Sequence, residues 1–484
     1  MLALSRLARQ SHSPNSLNTL LLPLRHQSSA SQRKSTQPSP VPSETGAAYK
    51  RSSSTPSKYQ HPMSPYLPVA LGTSSDILVD HAEGSYIYST DGRKVLDFTM
   101  GIGVTNLGHC HPVVNRAAVD QISRGVHLQQ NCVLSQPVAK LAEKIINKLP
   151  SHFQQIVFSN SGAEAVENAV KLARHYTKKT NIITVQGSFH GRTIATGALT
   201  NAKYVYRSGF QPSMSGVHVV PFPYCHRCAI SENCSTYSYD NCCMDPMTQL
   251  HRLLKSQSSA DETAALLVEP VLGEGGYVAA PKKWLQAVRK LCTQNNILMI
   301  LDEVQSGYGR TGTLFAMEQY GVVPDILVMA KGIANGFPLS AIATSEEIFS
   351  KQKPGSIGGT YSGNAVSAAA GIAVLDVIEQ ENILQNVQER GEQFRAGLKK
   401  LQKKFPISDV RGLGLMNAIE LSDSAGAGVA SAIQKAMLKH NVLVLTAGIH
   451  EALRFIPALN VNEQEINIGL NVIETALVEV FGDK

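Results

Sequence analysis

Long apolar runs are missing from this chain, and no stretch approaches the roughly 18 residues that a bilayer-spanning helix needs. Cysteine is scarce as well: 8 in 484 residues are too few for a disulfide scaffold. A charge of one sign is absent from most of the chain. The net of +7 arises wholly within residues 1–60, which hold eight Lys/Arg and the single acid Glu44, and the other 424 residues carry 36 charges of each sign. A neutral body exerts no overall pull on a phosphate backbone, so neither nucleic acid nor membrane is expected as a partner. What is present is 43% hydrophobic content, enough for a large buried core.

Residues 1–60 are rich in Ser, Arg and Pro, and Leu2, Leu4 and Leu7 can separate from Arg6 and Arg9 on a short helix. This composition predicts a mitochondrial transit peptide and a matrix location, with a basic-then-small processing site near Arg25–Ser29. The alternative is a tail with no address, because Ser/Pro-rich segments bury too little to order themselves.

After about Pro68 the chain reads as globular. Ser85–Gly103 alternates around Asp91-Gly92, a hairpin signal, and His111-Pro112 opens a helical stretch. Seven short apolar runs follow: Ile156–Ser159, Ile182–Val185, Val217–Val220, Ala264–Val268, Ile297–Leu301, Ile326–Met329 and Leu339–Ala343. Continuous runs of this kind suit strands buried on both faces, so the expected fold is α/β, a mostly parallel seven-stranded sheet covered by helices. Past about Glu379, amphipathic helices interleave with weaker strands. The expected division is a leader over 1–60, a first part of a small α/β domain over 61–110, a large domain over 111–378 with an insertion at 223–245, and the rest of the small domain over 379–484.

Ligands of open α/β sheets bind beyond the carboxyl ends of the strands. At those ends stand Ser161-Gly162-Ala163 before a helix expected from Glu164, a natural phosphate site. Asp302-Glu303-Val304-Gln305 follows one run and Ala330-Lys331 another. Three further ends are read at Phe189-His190-Gly191-Arg192, at Glu269-Pro270 with Glu274, and at Gly358-Gly359-Thr360. Singly, each has a bland reading: a capped helix, an ion pair, a loop. Together, a phosphate cradle, a carboxylate, a lysine, an aromatic plate and an arginine are the parts of a pyridoxal-phosphate site. Gly307-Tyr308-Gly309-Arg310-Thr311-Gly312 also matches G-x-G-x-x-G. Five residues separate it from the preceding run, and Asp325 comes before the next run instead of ending it, which argues against a dinucleotide site.

Residues from about 70 to 480 resemble the class III pyridoxal-phosphate aminotransferases of fold type I. The resemblance rests on Ser161–Ala165, Phe189–Thr193, Glu269–Gly276, Leu301–Gly312 and Pro324–Gly336. Within the class the chain is most similar to 4-aminobutyrate aminotransferases, with N-acetylornithine and ornithine aminotransferases close behind. The resemblance implies that Lys331 carries the cofactor and shuttles the proton, that Asp302 pairs with the ring nitrogen, and that Gln305 meets the ring hydroxyl. Val304 and Phe189 would sandwich the ring, beside His190. Ser161, Gly162 and Ala163 would hold the phosphate, together with Thr360 from a neighbouring subunit, which implies a homodimer with shared sites. Arg192 is implied to bind a distal carboxylate and Arg454 an α-carboxylate, with Glu274 as the substitute partner of Arg454. The expected partners are a small-molecule amino donor and a 2-oxo acid. Racemisation or decarboxylation on the same scaffold is the other chemistry this site can host.

Two departures stand out. Ala163 replaces the Ser or Thr of many family members, so the phosphate contact there rests on backbone N–H. Cys225, Cys228, Cys234, Cys242 and Cys243 crowd into nineteen residues. Their spacing is shorter than known zinc patterns, so the expectation is a loop of ordinary thiols, with Cys225, Cys228, Cys234 and Cys242 the ligands if a metal binds.

Overall fold

A computed structural model describes residues 60–61, 64–228 and 241–482. The leader, and with it the expected processing site, lies outside the described residues, as does Cys234.

The hairpin expected around Asp91-Gly92 forms. Strand β1 (Val79–Glu83) pairs antiparallel with β2 (Tyr86–Ser89), which pairs antiparallel with β3 (Lys94–Asp97). Helices α1 (Pro112–Ile122) and α2 (Gln136–Ile146) follow, each with Pro in its first turn, where the missing N–H costs nothing.

All seven apolar runs are strands of one sheet. In chain order they are β4 (Gln155–Ser159), β5 (Asn181–Val185), β6 (Val217–Val220), β7 (Thr263–Val268), β8 (Leu298–Asp302), β9 (Ile326–Met329) and β10 (Ser340–Thr344). Their spatial order is β4-β10-β9-β8-β7-β5-β6. Every residue of β7, β8, β9 and β10 is buried, the pattern of strands covered on both faces. Among the covering helices are α3 (Gly162–Thr177) and α4 (Lys282–Gln294), whose apolar stripes supply Val166, Val170, Trp284 and Val288 to the core.

Only β10 runs antiparallel, and its register explains its use. Ser340 lies opposite Ser159 and Ala341 opposite Met329, so the start of β10 sits at the edge where β4 and β9 end. That edge therefore collects the ends of β4, β5, β7, β8 and β9 and the entry to β10. The segment Gly358-Gly359-Thr360 departs from the expectation. It ends no strand, lying instead in the connection before helix α5 (Ala365–Gln380), which Asn364 caps.

Helix α6 (Ile383–Gln402) leads to β11 (Ile407–Leu413) and β12 (Met416–Leu421). Strand β13 (Val442–Leu443) pairs parallel with β3, joining the two ends of the chain in one small sheet, and β14 (Leu445–Thr446) and β15 (Ala452–Phe455) complete the other.

The glycine motif at Gly307–Gly312 forms turns and opens no helix, which agrees with its rejection as a dinucleotide site. Its arginine has a structural task. Arg310 is fully buried, donating from Nη1 to the carbonyls of Leu415 (3.2 Å) and Pro457 (2.5 Å) and from Nη2 to Asn106 Oδ1 (2.8 Å). One guanidinium thus ties the loop after β8 to three distant segments. Burial pulls its pKa down to about 9. Arg310→Met should leave those acceptors unsatisfied and cost about 1–3 kcal/mol. Thermal unfolding that shows no loss of Tm would refute the clamp.

Candidate active site

The β4 end makes the anion site. The sequence suggests a helix from Glu164, but α3 begins two residues earlier, at Gly162, because Ser161 and Glu164 form a capping box. Ser161 Oγ accepts the Glu164 N–H at 3.2 Å, while Glu164 Oε2 accepts the N–H groups of Asn160 (2.7 Å) and Ser161 (3.1 Å). The box occupies Ser161 and Glu164 with each other. Gly162 and Ala163 are left at the first two helical positions, where N–H groups have no intrahelical acceptor. Both line a cavity of about 360 Å³. Gly162 approaches its neighbour closely: a Cβ there would stand 3.0 Å from Val304 Cγ1, so Val304 would have to shift.

The β8 end makes the floor. Asp302 is buried, and both its carboxylate oxygens are engaged: Oδ1 accepts the Val304 N–H at 3.0 Å, and Oδ2 lies 2.7 Å from His190 Nδ1. His190 Nε2 is 3.3 Å from Thr184 Oγ1 on β5. The histidine is therefore wedged between the ends of two strands. Gln305 donates to the Ile102 carbonyl at 3.2 Å. Phe189, Val304, Ala330 and Lys331 complete this part of the lining. Lys331 follows β9 with φ +47°, a left-handed conformation that costs a non-glycine residue of order 1–3 kcal/mol. The buried Gly332, Ile333 and Ala334 after it hold the turn in place. Burial lowers the Lys331 pKa, against the pull of Glu274, Glu269 and Asp302.

The β7 end and β15 make the polar wall. Arg454, on β15, is 3% exposed. It donates from Nη1 to Glu274 Oε1 and to the Gly273 carbonyl, both at 2.9 Å, and from Nε to the Thr446 carbonyl at 3.0 Å. Burial pushes the Glu274 carboxyl up, but Arg454, with help from Lys331 and Lys203, brings it below its ordinary value. Arg192 is exposed and lines the same cavity, its guanidinium 4.8 Å from the Tyr206 ring centroid and 5.9 Å from that of Phe189.

Three residues of this wall went unassigned in the sequence. Glu269 is buried and accepts the N–H groups of Phe189 (2.8 Å) and Gly273 (2.9 Å), so it fixes both the aromatic plate and the loop that carries Glu274. Burial, offset by His190 and reinforced by Asp302, pushes its pKa up to about 7. Lys203 is desolvated beside Glu274, Arg454 and Arg192, which lowers its pKa. Tyr206 donates to Glu274 Oε2 at 3.2 Å. Glu269 carried a visible signal as an acid at a strand end. Lys203 and Tyr206 lie in an irregular segment with none.

Thr360 and the described cysteines of the cluster do not line this cavity. Thr360 is exposed and does not line the cavity of its own chain; its carbonyl accepts from His127 Nε2 at 2.6 Å. Of the clustered cysteines, Cys228 Sγ lies 3.4 Å from Cys243 Sγ, and Cys242 Sγ accepts the Met244 N–H at 3.4 Å. No group of three or more His, Cys, Asp or Glu among the described residues is arranged to hold a metal ion. The insertion is anchored through Arg227, which pairs with Glu420 (2.6 Å) and Asp423 (2.8 Å).

The cavity fits pyridoxal phosphate on its own geometry. Gln305 Oε1 is buried without a hydrogen-bond partner among the described residues, an acceptor left for a ring hydroxyl. The helix end at Gly162 and Ala163 suits the phosphate, Asp302 the ring nitrogen, and Lys331 the aldehyde carbon. Gly162→Ala should force Val304 toward the ring position, and overpacking of about 1–3 kcal/mol makes a roughly tenfold loss of cofactor affinity the expected result. Adding Val304→Ala should restore part of it. Absorbance titration of the apo-protein reads both, and unchanged affinity in Gly162→Ala would remove Val304 from the ring site.

Comparison with known proteins agrees with the geometry. Residues 70–477 match the family Aminotransferase class-III. The 5-aminovalerate aminotransferase of Pseudomonas putida is 37% identical over 421 residues, covering 86% of this chain and 96% of its own. The 4-aminobutyrate aminotransferase of Escherichia coli is likewise 37% identical, covering 85% and 96%. An amine transaminase from an uncultivated Pseudomonas species, solved with PLP bound, superposes with a TM-score of 0.79 at 28% identity, covering 87% of this chain and 98% of that one. From the fold, the cavity and these relatives together, the chain belongs to the class III aminotransferases, pyridoxal-phosphate enzymes of fold type I.

Proposed function

We propose that the amino donor is an ω-amino acid, 4-aminobutyrate before its homologues, and that the acceptor is 2-oxoglutarate. The observation that supports this is the unequal state of the two arginines. Arg454 is buried and neutralised by Glu274, whereas Arg192 stands exposed at the cavity with no carboxylate bound to it among the described residues. A donor with a single, distal carboxylate uses Arg192 and leaves the Arg454–Glu274 pair intact. A 2-oxo diacid brings a second carboxylate, which takes Arg454 as Glu274 moves aside.

Bound pyridoxal phosphate supplies an electron sink for the carbon that bears the amine. The residues around it do the rest. Lys331 Nζ, held below its ordinary pKa by burial, is a base able to take the proton from that carbon and return it elsewhere. Asp302, oriented by His190, keeps a proton on the ring nitrogen. Gly162 and Ala163 would anchor the phosphate end, and Phe189 and Val304, which line the same cavity, would shield the ring from water.

On this reading the working form is a homodimer in the mitochondrial matrix, with Thr360 of one subunit meeting the phosphate held by its partner. Exposed Thr360 and the apolar side chains of Leu128, Leu134 and Tyr361 support the dimer, and the leader's composition supports the location. Native mass spectrometry of protein drawn from mitochondria should give a dimer whose chains begin between residues 26 and 60. A full-length monomer would refute both.

The donor reading is tested by single-turnover absorbance with 4-aminobutyrate, 5-aminovalerate, ornithine, N-acetylornithine and glutamate, with Lys331→Ala as the inactive control. Glu274→Ala should slow the ω-amino half-reaction at least tenfold, because it leaves Arg454 buried without its anion, a situation that costs about 3–5 kcal/mol. The glutamate half-reaction should be spared or improved. Equal losses in both would mean that Glu274 is structural.

A further inference from the structure

Tyr206 joins the two arginine systems through one side chain. It closes a short turn, Tyr204–Tyr206, in which Tyr204 and Val205 point to solvent and Tyr206 alone turns inward. Its hydroxyl donates to Glu274 Oε2 at 3.2 Å, while the other oxygen of that carboxylate, Oε1, receives Arg454 Nη1 at 2.9 Å. The face of its ring lies 4.8 Å from the Arg192 guanidinium, within cation–π range, and it meets Phe189 edge-on with centroids 5.2 Å apart. Burial, with the Glu274 charge beside it, raises the phenol pKa, so the hydroxyl stays protonated and remains a donor.

We propose that Tyr206 is the positioning residue that sets the balance between one-carboxylate and two-carboxylate substrates: its hydroxyl retains Glu274 on Arg454, and its ring steadies Arg192 for the distal carboxylate. This rests on the reading of Glu274 given above and names what holds that glutamate. Glu274 is gripped at both oxygens. A carboxylate held by Arg454 alone could leave as soon as a competing anion arrived; with Tyr206 on the second oxygen it either breaks that bond or turns about it. The hydroxyl therefore opposes the diacid half-reaction and supports the monoacid one. The ring does neither, since Arg192 serves both.

The two halves of the residue separate by mutation. Tyr206→Phe removes the hydroxyl and keeps the ring. A hydrogen bond to a charged group in a half-exposed site predicts an effect of about tenfold. The apparent Kd for glutamate and 2-oxoglutarate should fall by about that factor, the ω-amino half-reaction should slow by a similar one, and the apparent Kd of the ω-amino donor should hold. Tyr206→Leu removes the ring as well, and should raise the apparent Kd of both substrate classes about threefold to tenfold. In a Glu274→Ala background, Tyr206→Phe should have no further effect, because the hydroxyl acts only through that carboxylate. A Tyr206→Phe effect that persists in Glu274→Ala, or that falls equally on both half-reactions, overturns the proposal. Loss of Tm or of bound cofactor in Tyr206→Phe would also overturn it, by making the residue a structural prop. The donor reading fails separately: there Glu274→Ala itself hits both half-reactions alike, while the cycle between Tyr206 and Glu274 still reports whether the hydroxyl holds the carboxylate.

Discussion

Asp302 ends a strand in which every residue is buried, and a carboxylate in that position must be bonded or lose its charge. Much of the cavity follows from this constraint. His190, in the segment after β5, is drawn to Oδ2, and the turn after β8 folds back so that the Val304 N–H meets Oδ1. The same turn brings Val304 against Gly162 and points Gln305 into the site. Glu269 stands beside this pair as a second buried acid, with one histidine for the two of them. Burial pushes the Glu269 pKa up to about 7, and its oxygens serve the N–H groups of Phe189 and Gly273. Asp302 lines the cavity floor, and Glu269 holds the neighbouring loops in register.

The strands and the chemistry at their ends were legible because both depend on local pattern. Seven unbroken apolar runs suit a covered sheet, and the residues after the runs that lie parallel then collect at one edge. Gly162, Asp302 and Lys331 were found that way. The antiparallel entry of β10 was not, since direction leaves no trace in an apolar run. The start of α3 was placed two residues late because the Ser161–Glu164 pair, a capping box, was read as a turn followed by the first helical residue. Gly358–Thr360 was read as a strand end but lies in the connection before α5.

What the sequence concealed was contact made across distance. Arg310 sits in a glycine motif that suggests a nucleotide, yet its three acceptors lie at residues 106, 415 and 457, beyond the reach of any local reading. His190 and Asp302 are separated by 112 residues, and Tyr206 and Glu274 by 68. Lys203 and Tyr206 follow helix Ile194–Leu199 in a segment without periodicity, where a tyrosine is as often surface as site.

The unequal burial of the two arginines has a physical logic that reaches beyond either residue. An exposed guanidinium keeps its water when no carboxylate is present, so waiting costs it little. A buried one must have an anion at all times. On the proposed donor reading, the arginine that would meet a carboxylate in both half-reactions can therefore stay exposed, steadied by aromatic faces that ask for no countercharge. The arginine whose partner comes and goes gains most from burial, where an α-carboxylate is bound strongly, provided the protein supplies a replacement that can step in. Glu274 is that replacement only if its own charge survives desolvation, and the cations around it, Arg454 first and then Lys331 and Lys203, hold its carboxyl below the ordinary value despite burial. Charge on the glutamate, charge on the arginine and the exclusion of water are thus one condition. A polar wall that met only part of it would bind one class of substrate and reject the other.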